Sequence, residues 1–114
     1  MIEKLSWFAA RLLFESTYTG GQPEETLFEE KVVLIKSNYG IEDAEKKARK
    51  IGLSSTESYQ NIEGQTVTWA FREVLDLVQL NEADIGEGSE VYYHFLKSDE
   101  VSLLRESLKP SSLL

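Results

Sequence analysis

The stretch SWFAARLLFES, residues 6–16, decides how the rest of the chain is read. Its apolar residues admit an export signal, an amphipathic helix or a strand. The signal reading fails because Arg11 interrupts the apolar run, Lys4 is balanced by Glu3, and no small-x-small cleavage site follows. A helix would gather Leu5, Phe8, Ala9, Leu12 and Leu13 on one side. A strand would set Phe8, Ala10, Leu12 and Phe14 on one face, and Trp7, Ala9, Arg11, Leu13 and Glu15 on the other. The residues that follow arbitrate. STYT extends the β-prone composition, GGQPEE supplies turn chemistry, and TLFEEKVVLIKS is a second β-prone run centred on Val32 to Ile35. Two such runs around a Gly-Gly…Pro loop predict a long antiparallel hairpin.

Outward from the hairpin, NYGIEDAEKKARKIG repeats Ile41, Ala44, Ala48 and Ile51 at helical spacing. Small residues at the middle of that stripe let a helix lie close on a sheet. Acids crowd its first turn, bases its last, and Gly52 is placed to end it as a C′ residue. SYQNIEGQTVTWAF then reads as strand, turn, strand, with Val67, Trp69 and Phe71 alternating inward. Val74, Leu75, Leu77 and Val78 break that alternation, which predicts a bulge near Arg72 and Glu73 or burial on both faces. SEVYYHFLK alternates Val91, Tyr93 and Phe95 against Glu90, Tyr92, His94 and Leu96, a last strand. Ser98 is placed to cap a short helix that Pro110 stops.

The order is therefore ββαβββα: an α+β domain with an antiparallel sheet of four to five strands and one main helix packed on a face. Residues 1–109 form a single domain and residues 110–114 fray. The expected core is Phe8, Leu12, Phe14, Val33, Ile35, Ile41, Ala48, Val67, Trp69, Phe71, Val91 and Tyr93.

Composition narrows the chemistry. The 114 residues are enough for one core without staples. With no cysteine, disulfides, thiolate metal sites and cysteine nucleophiles are excluded, and the reading is a cytoplasmic protein. A net charge of −8 repels nucleic-acid phosphate and anionic lipid, and no apolar run reaches the ~20 residues of a membrane helix. The one basic patch, EKKARK, is neutralised locally: Glu42 and Lys46, Asp43 and Lys47, and Glu45 and Arg49 stand four apart with the acid first.

No catalytic constellation assembles. His94 is the lone histidine, and Glu90 on its face would lie ~13 Å away along a strand. Glu82, Asp84, Glu87 and Glu90 depart from calcium-loop spacing, so no metal is expected, and no cofactor fingerprint is present. What remains is the hairpin face with Trp7, Arg11 and Glu15, facing Glu29 or Glu30, and extended by Tyr92 and His94. It reads either as a ligand or partner platform or as cross-strand ion pairs that shield the sheet.

Trp7, Ala10, LLFE at 12–15, FEE at 28–30, Trp69, EVLD at 73–76 and EVY at 90–92 recur in an order and spacing that resembles a bacterial family described only as a domain of unknown function, number forty-two eighty-eight. The resemblance covers about residues 7–95. It implies a soluble bacterial protein and brings no catalytic residues with it.

The sequence therefore favours a non-catalytic interaction or binding module, one form of which masks a basic partner. The alternative is a small enzyme or ligand-binding protein that uses Arg11 and Glu15. Because the helix stripe is narrow, Trp7, Leu13, Tyr92 and Leu96 are expected on an open face that a second copy, as a homodimer, or another protein covers.

Overall fold

The computed structural model describes residues 5–81 and 84–107; the tail expected at 110–114, Pro110 and Glu82 lie outside them. The elements run β1 (Ser6–Tyr18), β2 (Phe28–Ser37), α1 (Ile41–Ser54), β3 (Glu57–Gln60), β4 (Thr66–Gln79) and α2 (Ser98–Ser107). The four strands form one antiparallel sheet in the order β2-β1-β4-β3.

The opening stretch is the central strand. β1 pairs with β2 from Ser6↔Ser37 to Glu15↔Phe28, the expected hairpin, and with β4 along its other side. Between its strands the chain turns through Gly20 and Gly21, both at positive φ. Flanked on both sides, β1 buries Phe8, Ala10, Leu12 and Phe14 beneath α1, where they meet Ile35, Ala44 and Ala48. Val33, Ile51, Trp69, Phe71, Val74 and Leu77 close the rim of that core.

β4 keeps its apolar residues on the core face by skipping two positions. Leu12 faces Val74 while Arg11 faces Asp76, which leaves Leu75 without a partner; Leu13 faces Glu73 while Phe14 faces Phe71, which leaves Arg72 out. Each extra residue resets the alternation, so Phe71, Val74 and Leu77 all point at α1. The irregular pattern in the sequence is thus a pair of bulges, one of them at Arg72.

α1 is held to the sheet at its start by Ser37, which is buried at the end of β2. The Ser37 hydroxyl donates to Asp43 Oδ2 at 2.7 Å and accepts from the Tyr39 amide at 3.0 Å. Of the three expected acid-first pairs on the helix, Asp43–Lys47 and Glu45–Arg49 are formed, at 3.6 and 2.6 Å.

Several expectations are corrected. Ile41 is 55% exposed, because the buried stripe runs Ala44, Ala48, Gly52 and the first turn projects beyond the sheet. Gly52 is not a C′ residue: the helix continues to Ser54, and Gly52 lies against the Phe71 ring. That extension leaves no basic residue in the last turn. α2 is capped by Glu100, whose carboxylate accepts from the Lys97 amide at 3.0 Å, and not by the Ser98 hydroxyl.

The segment 90–97 joins no sheet, so the order is ββαββα and Val91 and Tyr93 are exposed. Alternating side chains specify two faces, whereas a strand also needs a neighbour for its backbone. Here the segment instead brings Tyr92 onto the sheet.

Candidate interaction face

The sheet face opposite α1 carries Trp7, Ala9, Arg11, Leu13 and Glu15 on β1, since strand side chains alternate and their neighbours fill the core. Register sets Val32 and Asp76 on either side of Arg11, with Glu30 one pleat along β2. The Arg11 guanidinium donates to and ion-pairs with Glu30. It also lies over the Tyr92 ring, 5.7 Å from its centroid. The Tyr92 hydroxyl donates to Asp76 Oδ2 at 2.8 Å. Arg11, Glu30, Tyr92 and Asp76 thereby tie segment 90–97 to three strands' worth of sheet face. Arg11 Nε is buried and has no hydrogen-bond partner among the described residues.

Glu15 takes no part in that cluster. Four residues along the strand from Arg11, it accepts from Nε of Arg72, the bulged residue of β4, at 2.7 Å. Trp7 lies at the other end of the strand with Lys36 Nζ over its ring at 4.9 Å. Among the sequence candidates, then, the structure brings together Arg11, Tyr92 and His94, whose ring centroid is 5.3 Å from that of Tyr92. It holds Glu15 and Trp7 apart from them. His94 donates to no carboxylate among the described residues, and no group of three or more His, Asp or Glu there is placed to hold a metal ion.

Beside Arg11 the face opens into a groove of about 440 Å³, whose walls include Glu30, His94, Leu96, Glu100, Leu103 and Leu104. Leu96, Leu103 and Leu104 are exposed along it, whereas the Phe95 ring meets Tyr93 edge-on at 6.4 Å and is not among its walls. Asp76 and Arg72 escape sequence reasoning because the two bulges decide which β4 side chains reach this face. The α2 leucines could have been suspected from an amphipathic pattern that finds no matching core position.

The electrostatics follow from this packing. The Glu30 hydrogen bond raises the Arg11 pKa above its already high ordinary value, with burial opposing, so the guanidinium is charged throughout the working range. Burial, then the hydrogen bond to Asp76, pushes the Tyr92 phenol above its ordinary value of about 10, with Arg11 pulling the other way. The folded protein therefore holds this proton more tightly than the unfolded chain does. The corresponding stability is complete below about pH 10 and is lost as pH rises through the folded value. Tyr92→Phe should remove that alkaline component, so wild type and variant should converge in denaturant midpoint as pH rises above about 10. Parallel curves above that pH would contradict the burial of Tyr92 and its contact with Asp76.

Arg11→Met should be mild. It loses a half-exposed ion pair and a ring contact, each worth about 0.5–1 kcal/mol, but also removes the unpartnered buried Nε and keeps the aliphatic stem. A denaturant midpoint lowered by the equivalent of more than about 2 kcal/mol would mean that Glu30 or Asp76 is stranded without it.

Comparison with known proteins places this geometry in a sequence context. Residues 7–93 match the family model described as Domain of unknown function (DUF4288). No curated protein and no solved structure matches the chain. No described helix is long and apolar enough to cross a membrane.

Proposed function

The chain belongs to the DUF4288 family, a family defined by sequence and not by chemistry, and we propose that it is a non-catalytic protein-interaction module whose contact surface is the groove beside Arg11. The observation that carries this reading is the exposure of Leu96, Leu103 and Leu104 along one groove. Contiguous apolar side chains rimmed by charge mark contact sites more often than scattered ones do. The charged rim includes Glu30 and Glu100, on a chain of net charge −8. That balance suits a partner with a basic contact surface, which the acidic protein masks.

The polar side chains of the face support binding over catalysis. Arg11 is engaged by Glu30, Glu15 by Arg72 and Tyr92 by Asp76, so each is committed to a partner within the fold. A ligand-binding reading keeps one specific support, the buried Arg11 Nε, which has a donor to offer. Under that reading Arg11→Met abolishes binding while folding persists.

The test is affinity capture from the host extract with wild type and with the double variant Leu103→Ser, Leu104→Ser. Wild type should retain a basic protein that the double variant loses, and retention should weaken as salt rises from about 0.1 to 0.5 M. Equal retention by both proteins, insensitive to salt, would refute the groove as the contact surface.

A further inference from the structure

β2 is an edge strand, and its free edge matches itself. The Ser16 amide donates to Leu27 O at 3.0 Å, in the same register that pairs β1 with β2. Directly opposed residues of an antiparallel ladder alternate between hydrogen-bonded and unbonded pairs. Odd-numbered residues of β2 therefore bond to β1, while Phe28, Glu30, Val32, Leu34 and Lys36 turn their amides and carbonyls outward. One outward group reveals itself: Lys36 O accepts from Lys47 Nζ, at 2.7 Å, and not from β1. These same even residues carry their side chains on the face away from α1, where Phe28, Val32 and Leu34 are 56%, 45% and 36% exposed.

We infer that a second copy of this chain pairs with β2 in antiparallel fashion about a two-fold axis at Val33, joining two four-stranded sheets edge to edge. In that register Val32 faces Leu34 of the other copy, and Glu30 faces its Lys36, each pair occurring twice by symmetry. Moving the axis to Val32 sets Glu30 against Leu34 and Phe28 against Lys36. Moving it to Leu34 sets Val32 against Lys36. A shift to a half-way register puts side chains on mismatched faces. Only the Val33-centred register matches apolar with apolar and acid with base.

Lysine on an edge strand commonly guards against such pairing. The distinguishing feature here is that Lys36 meets an acid in the favoured register. Pairing displaces Lys47 from Lys36 O, and its ammonium keeps Asp43 at 3.6 Å. The edge meets the groove at Glu30, which lines it and already pairs with Arg11. Val33 and Lys36 are not among the groove walls, so variants there test this assembly separately from partner capture.

The absence of native cysteine makes the test direct. Val33→Cys sits on the axis, where opposed Cα atoms of an unbonded antiparallel pair lie ~4.5 Å apart, within disulfide range. Lys31→Cys, two residues away, would stand ~13 Å from its own copy. Under mild oxidation the first variant should become a covalent dimer and the second should stay a monomer. Sedimentation of the unmodified chain from about 10 to 500 µM should show a dimer, and Lys36→Glu should weaken it about tenfold or more by setting acid against acid twice. Overturning results are a monomer throughout that range, equal cross-linking of both cysteine variants, or a dimer indifferent to Lys36→Glu.

Discussion

Phe14→Ala is expected to cost about 3–5 kcal/mol, the largest effect of any single truncation on the helix-covered face. Phe14 is fully buried at the centre of the sheet. Its ring meets Phe71 edge-on at 5.7 Å between centroids, and Lys31 Nζ lies over it at 4.8 Å from its centroid. Truncation removes the transfer free energy of the ring, the aromatic contact and the packing against α1, and leaves a cavity between two rigid strands. Domains of this size are stable by only about 5–15 kcal/mol, so the variant should be partly unfolded near 37 °C. Urea denaturation followed by tryptophan fluorescence measures the loss. A cost below about 1.5 kcal/mol would place the core elsewhere.

The second large effect concerns a residue that adds nothing to a helix in isolation. A Cβ on Gly52 would lie 2.4 Å from two carbons of the Phe71 ring, far inside van der Waals contact. Gly52→Ala gains about 1 kcal/mol of helix propensity. The overpacking it forces costs about 1–3 kcal/mol, since Phe71 is itself held by Phe14. The sum should be destabilising, against the sign that propensity alone gives. Gly52→Val, with a branched side chain and a smaller propensity gain, should cost about 2–3 kcal/mol. Thermal denaturation of both checks the order, wild type above alanine above valine. A stabilised Gly52→Ala would mean that α1 does not approach β4 this closely.

These two residues show what the sequence makes legible and what it hides. The hairpin can be read because residues 6–16 and 28–37 are both β-prone and the glycine-proline loop lies between them. The helix can be read because Ala44 and Ala48 recur at its period. The bulge near Arg72 shows as a break in alternation. Gly52 misleads because a glycine after an apolar stripe has two uses, ending a helix or letting it come close, and only the neighbour decides. Ile41 misleads because periodicity gives the direction of a side chain but not how far the sheet extends beneath it. Segment 90–97 misleads because its alternation is real but its backbone has no strand beside it. On the face opposite α1, Arg11 can be singled out from composition. Its partners Glu30 and Tyr92 come from separate parts of the chain, and the bulges in β4 decide that Asp76 stands opposite it and reaches the Tyr92 hydroxyl.

Stability beneath α1 and the proposed association opposite it divide the two faces of one sheet between different tasks. Thermal denaturation and partner retention, measured together on Gly52→Ala and on the Leu103→Ser, Leu104→Ser pair, test that division most directly. Gly52→Ala should melt about 4 °C or more below wild type and, below its melting point, retain the partner fully. The groove pair should melt within about 2 °C of wild type and lose the partner. A groove pair that melts as early as Gly52→Ala while still retaining the partner would contradict the division.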